Sequence, residues 1–156
     1  MTERLWAPWR LEYVQGGADR AGCVFCAGAQ DNDLIVHRGR LAYVLMNLYP
    51  YSNGHLMVAP YRHVAEPGEL EAGEQAEIWD LFGRAIAAMR EALGPDGFNA
   101  GFNLGRVAGA GVIDHLHLHV VPRWNGDTNF MPVLADVKVM PEHITRTAEK
   151  LRAAWA

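Results

Sequence analysis

The period of the apolar residues changes along the chain, and each change marks an element. Residues 34–38 and 41–48 alternate as strands do about a turn near Gly39, and residues 54–59 (GHLMVA) follow the PYSNG turn as a third strand. Between 71 and 93 the pattern switches. Ile78, Leu81, Phe82, Ala85, Ile86, Met89 and Leu93 recur at helical spacing, which predicts one face of a long amphipathic helix stopped by Gly94-Pro95. Residues 98–104 and 116–123 return to period two and are joined by the Gly-rich stretch 105–111, so they are expected to pair as central strands. Residues 141–155 begin with Pro, carry Glu142 in the first turn and place Lys150 and Arg152 near the end, a charge order that suits a C-terminal helix. Pro8 sits as a first-turn residue would, making residues 5–14 a short helix or an ordered arm. Hairpins with segregated helices predict an α+β fold: an antiparallel sheet of about five strands, one long helix and a C-terminal helix.

Composition narrows the function. A chain of 156 residues, half of them hydrophobic and without internal repeats, is expected to form a single domain over 1–156. Eighteen acidic residues against fourteen basic ones give a net charge of -4, which supplies no broad cationic surface for nucleic acid. No apolar run approaches the roughly 20 residues that span a bilayer, and MTERLWAPWR has no basic segment leading into an apolar one. A cytoplasmic location with neither nucleic acid nor membrane as partner is the expectation.

Two features carry chemistry. The first is Asp114-His115-Leu116-His117-Leu118-His119-Val120-Val121, where strand alternation puts His115, His117 and His119 on one face and Leu116, Leu118 and Val120 toward the core. At ~3.3 Å per residue the outer histidines stand ~13 Å apart along a strand, too far to share one metal ion, so the three must do different jobs. A solvated face, a His115–His117 pair holding a catalytic metal, and a His117 nucleophile toward phosphorus are the readings open to this row. The nucleophile needs an anion cradle, and Gly105, Gly109 and Gly111 with Arg106 lie just upstream to form one. The second feature is Cys23 and Cys26, the only cysteines. Their C-x-x-C in a Gly-flanked loop reads as a metal clip, a redox pair or two inert thiols.

The row HLHLHVV resembles the signature of the histidine triad (HIT) family of nucleotide hydrolases and transferases. NLYPYSNGHLMVAPYRHV is similar to the family's ribose-binding strand pair, and GFNAGFNLGRVAGAGVIDHLHLHVVPRW to its phosphate loop and catalytic strand. With LWAPWRLEYV and WNGDTNFMPVL the likeness covers most of the chain, and it is strongest toward the bacterial diadenosine tetraphosphate phosphorylase-like branch.

The resemblance implies a nucleotidyl-histidine on His117, with His119 near the phosphates and Asn47 on the ribose hydroxyls. His55 follows Gly54 at the start of the next strand; Leu45 with Asn47, and His55 with Met57, are i, i+2 pairs that put a polar and an apolar group on one sheet face, as a sugar and a base require. Asn103, Arg106, Gly109 and Gly111 would hold phosphate, and Trp124 stands at the pocket rim or packs at the sheet edge. Zinc-containing relatives imply a structural Zn²⁺ on Cys23, Cys26, His63 and His115, with no organic cofactor. His37 and His143 fall outside the pattern and read as surface histidines.

One departure stands out. Family hydrolases commonly carry Gln, in some with Ser beside it, just before the first triad histidine, where this chain has Gly111 and Val112. Leaving-group stabilisation must then come from backbone N–H groups, from Asn103 or from elsewhere, which leaves room for phosphate as acceptor. The expected partners are a dinucleoside polyphosphate, phosphate and a second copy of the chain, since family members generally pair by continuing the sheet. The expected layout is an N-terminal arm (1–22), a HIT core (23–124) and a C-terminal extension with its helix (125–156).

Overall fold

The computed structural model describes residues 22–29, 32–129, 134 and 139–156. The expected arm at 5–14, and most of the segment following Asn129, lie outside these residues. In chain order the elements are α1 (Val24–Gly28), β1 (Ile35–Arg38), β2 (Ala42–Met46), β3 (Leu56–Pro60), α2 (Ala72–Leu93), β4 (Gly97–Phe102), β5 (Leu118–Arg123) and α3 (Ile144–Ala153), with short 3-10 turns at Pro67–Glu69 and Arg106–Ala108. The five strands form one antiparallel sheet in the order β1-β2-β3-β5-β4. The α+β architecture is as expected. The short helix α1 is a correction, because the cysteine segment reads as a loop from its flanking glycines.

Alternation along the strands divides the sheet into two faces. Ala42, Val44 and Met46 of β2, Leu56 and Val58 of β3, and Leu118 and Val120 of β5 meet Ile78, Leu81, Ala85 and Met89 of α2 and Ala148 and Leu151 of α3 in the main core. The residues between them, Tyr43, Leu45, Met57 and Ala59, point to the other face and pack with Phe25 and Ile35 in a smaller cluster. The strands β2 and β3 are therefore apolar throughout, as strands covered on both faces must be. Among the described residues no helix is long and apolar enough to cross a membrane.

Two glycines are required by position. A Cβ on Gly39 would overlap Glu77 Oε1 and approach the Ala42 carbonyl to 2.8 Å, so only glycine closes the β1–β2 turn beneath α2. Gly54 has φ of +78° and faces Leu93, which keeps the turn before His55 tight.

The loop leading from β3 to α2 is clamped by charge. Glu74, only 4% exposed, accepts hydrogen bonds from Arg62 Nε (3.0 Å) and Nη2 (2.6 Å) and from the Glu71 backbone N–H (2.9 Å) as part of a capping box. The Leu116 N–H donates to Val64 O at 2.7 Å, so the same loop is tied to the start of the histidine row. The Arg62 hydrogen bonds hold the Glu74 carboxyl below the usual glutamate range. Its folded pKa lies under the unfolded one, so the stabilisation is present above the unfolded value of about 4.3 and disappears as pH falls through the folded value. Glu74→Ala is expected to cost about 1–3 kcal/mol at pH 7, and the gap to wild type in urea unfolding should narrow steadily below about pH 4. A gap that is constant with pH would mean that packing, not the ion pair, accounts for it.

Candidate active site

The row of histidines straddles the start of β5. His119 lies within the strand, opposite Met57 and Gly101, whereas His115 and His117 precede the ladder. All three are buried. Their jobs separate by partner, as the spacing demands.

His117 Nδ1–H donates to the His115 carbonyl at 2.8 Å. A carbonyl only accepts, so the proton resides on Nδ1 and the lone pair on Nε2. Burial lowers the His117 pKa, which favours the neutral ring. The Phe25 ring stacks on this imidazole with centroids 4.5 Å apart.

His119 is oriented through His55. The Tyr51 backbone N–H donates to His55 Nδ1 at 3.0 Å, and His55 Nε2 lies 2.9 Å from His119 Nδ1. With Nδ1 of His55 accepting, its neutral ring carries the proton on Nε2 and donates to His119, whose own proton is then on Nε2. Asn103 Nδ2 donates to Tyr51 Oη at 3.3 Å; it also lies 3.3 Å from His119 Nε2, but with the His119 proton on Nε2 both nitrogens are donors and make no hydrogen bond with each other. The Tyr51 ring packs on His55 with centroids 4.6 Å apart. His55, fully buried, thus stands behind His119 and not in the cavity.

A cavity of about 530 Å³ opens in front of these rings. Leu45, Asn47, Met57, Gly109, Gly111, His117 and His119 line it, so the structure brings together the predicted apolar, ribose, glycine and imidazole groups. Leu45 and Met57 are direct cross-strand partners, with His119 beyond Met57 on the next strand. Four predicted residues do not line it: His55 and Asn103 lie against His119, and Arg106 and Trp124 are elsewhere. Arg106 is exposed on its 3-10 turn, and Trp124 lines a second cavity with Ser52, Leu93 and Asp127. Conversely, Phe25 and Tyr49 line the main cavity, and Tyr51 joins the histidines, without being singled out in the sequence. An aromatic residue inside C-V-F-C and the tyrosines of YPYSNG were the available signals.

His115 belongs to a different cluster. Its Nδ1 lies 3.2 Å from Cys23 Sγ and 3.6 Å from Cys26 Sγ, and His63 Nδ1 lies 3.4 Å from Cys26 Sγ. One ligand atom from each of Cys23, Cys26, His63 and His115 falls within 4.8 Å of the others, and the contacts of 3.2, 3.4 and 3.6 Å lie close to the roughly 3.3–3.8 Å that separates the ligands of a tetrahedral ion with bonds near 2.0–2.3 Å. The outer nitrogens suit the same role: His115 Nε2–H donates to Pro60 O at 2.9 Å, leaving Nδ1 free to ligate, and Asp114 lies 3.8 Å from His63 Nε2. Desolvation and the neighbouring Cys23 push the Cys26 thiol up. The donor set therefore fits a metal ion, and His117 is not part of it. His37 is half-buried and stacked on Trp155, a correction to its reading as a surface residue, while His143 is exposed.

The HIT domain pattern matches residues 29–126. AP-4-A phosphorylase of Mycobacterium tuberculosis is 40% identical over 165 residues, spanning 99% of this chain and 85% of that protein. The chain belongs to the HIT family. Adenosine 5'-monophosphoramidase hnt1 of Schizosaccharomyces pombe is 28% identical, across 83% of this chain and 95% of that protein. Among solved structures, a Zn-bound histidine triad family protein from Mycobacterium smegmatis superposes with a TM-score of 0.70 at 28% identity, covering 85% of this chain and 92% of that one. The HIT pattern begins downstream of the cysteines, so the metal cluster rests on the geometry of this chain.

Proposed function

We propose that this HIT-family enzyme cleaves dinucleoside polyphosphates, diadenosine tetraphosphate among them, through a nucleotidyl group carried on His117, and passes that group to phosphate. The observation that carries the reading is the bond from His117 Nδ1–H to the His115 carbonyl, which leaves the Nε2 lone pair as the ring's reactive position beside the cavity. The name of the mycobacterial relative supports the substrate class.

His117 Nε2 attacks the α-phosphorus, forming a P–N bond as the P–O bond to the departing nucleoside triphosphate breaks. The imidazole becomes cationic, and the His115 carbonyl stabilises it through the retained Nδ1 proton. The triphosphate leaves as an anion at neutral pH and needs no proton, so the missing Gln or Ser side chain at Gly111 and Val112 is not essential to this step. In this reading His119 and the backbone at Gly109 and Gly111 receive phosphoryl oxygens and Asn47 takes the ribose; that all four line the cavity supports it. An oxygen of inorganic phosphate then attacks phosphorus, the P–N bond breaks, and a nucleoside diphosphate departs from a neutral His117.

Zinc is the ion proposed for Cys23, Cys26, His63 and His115; bound there, it supplies a cross-link between the N-terminal segment and the catalytic strand. Pairing of two chains along the open edge of β4, flanked by exposed Phe102 and Leu104, belongs to the same proposal.

Product analysis by anion exchange tests the acceptor. Diadenosine tetraphosphate with phosphate is expected to give ADP and ATP, and little turnover without phosphate. AMP and ATP regardless of phosphate would assign water as the acceptor, the outcome that the likeness to a phosphoramidase favours. No turnover under either condition would leave a nucleotide-binding protein without this chemistry.

A further inference from the structure

The C-x-x-C segment does more than bring two thiols together. Between them lies Phe25, 4% exposed, whose ring faces two histidines of different function: the centroid distance is 4.5 Å to His117 and 5.2 Å to His115. The plane of its ring is tilted 28° from that of His117, a stacked arrangement covering one face of the imidazole. A helix of five residues with no side-chain cap is not stable alone, so α1 must be held by its ties to the rest of the chain. Those ties converge on Phe25. The Tyr43 hydroxyl of β2 donates to Phe25 O at 2.7 Å, and the flanking Cys23 and Cys26 sulfurs meet His115 and His63. Burial pushes the Tyr43 hydroxyl up, so it stays a donor.

We propose that Phe25 is a positioning residue for the nucleophile: its ring, fixed between two metal-ligating cysteines, holds the His117 imidazole in its attacking orientation, so that metal occupancy and nucleophile geometry are coupled through one side chain. This rests on His117 being the nucleophile. The Nδ1 bond to His115 fixes one point of the imidazole and permits rocking about it; a flat face at stacking distance removes that freedom. Attack on phosphorus is steep in orientation, and a misplacement of about 1 Å costs on the order of 10²-fold in rate. The coupling also explains why a metal clip remote in sequence sits beside the reacting ring. Cys23 and Cys26 precede His115 by about ninety residues, yet the two cysteines and the nucleophile share Phe25 as neighbour.

Phe25 also lines the cavity, so a role as pocket wall must be separated from positioning. Phe25→Leu keeps apolar volume and removes the flat ring. Positioning predicts that kcat for diadenosine tetraphosphate falls about ten- to hundredfold while KM stays within about twofold. A raised KM with unchanged kcat would overturn the proposal and leave a wall. The second readout needs no turnover. In wild type the His117 ring protons should be shifted upfield by the aromatic face, and in Phe25→Leu that shift should vanish. Stripping metal with a chelator, well below the unfolding temperature, should move these resonances toward the variant's positions, and titration with zinc chloride should restore them. Resonances indifferent to metal would overturn the coupling. If the variant fails to fold, the wild-type metal titration decides; if stripping unfolds the chain, the variant decides. Failure of the proposed activity would show as no turnover by wild type, while the resonances would still report whether Phe25 and the metal cluster govern the ring.

Discussion

His117→Ala is expected to lose turnover of diadenosine tetraphosphate by a factor on the order of 10⁴ or more, with no adenylylated protein trapped on rapid quenching. The size follows from the chemistry: without the imidazole there is no P–N intermediate, and the remaining groups bind phosphates without providing an attacking atom. Substrate binding should survive, because Leu45, Met57, Asn47 and the glycine loop line the cavity independently of His117. The fold should survive as well, since His117 precedes β5 and lies on the face opposite the main core. His119→Ala offers the contrast. It removes a hydrogen-bond donor and keeps the nucleophile, so the loss should be about 10²–10³-fold, with some nucleotidyl-enzyme still forming. Full activity in His117→Ala, or equal trapping of intermediate in both variants, would exclude the covalent-histidine route.

The second large effect concerns the Cys₂His₂ cluster. Purified protein should carry close to one zinc per chain by elemental analysis, and Cys26→Ala should carry little. The thermal midpoint of the variant should fall by roughly 10 °C, because an ion held by this cluster would join segment 22–29 to His63 and His115, far apart in sequence. The damage should be local at first. Phe25 belongs to the smaller cluster, whereas Leu81, Ala85 and Met89 of α2 belong to the main core, so amide exchange should accelerate across 23–28 before it accelerates in α2. Activity should decline together with the order of segment 23–28. A metal held by His115 and His117 for catalysis would behave otherwise: chelation would stop turnover at once while exchange across 23–28 stayed unchanged. The structure favours the first outcome, since the Nδ1 atom of His115 faces the thiols and that of His117 faces a carbonyl.

Much of this protein is legible without coordinates because it depends on neighbours in the chain. The three- and four-residue recurrence from Ile78 to Leu93 specifies α2 to within a residue, since an amphipathic helix is a local property that any apolar surface can complete. Strand alternation likewise assigns Leu118 and Val120 to the core and His119 to the other face, and distance alone keeps His115 and His119 from sharing one ion, whereas His115 and His117 are separated only by the partners the fold gives them. Other features required the chain to close on itself. The insertion of β5 between β3 and β4 puts His119 beside Met57 and within reach of His55, a juxtaposition across more than sixty residues that no period encodes. Phe25 reads as one apolar residue in a short loop until α1 folds under the tie from Tyr43 and lays its ring on His117. Arg106 and Trp124 show the converse: proximity in sequence to the glycine loop and the histidine row did not carry their side chains into the cavity. Periodicity is set by the backbone and by the contrast between apolar and polar side chains, so the sequence alone determined the elements and the residue types of the site. Which side chains touch depends on how the sheet faces are covered, and that was decided only by the tertiary structure.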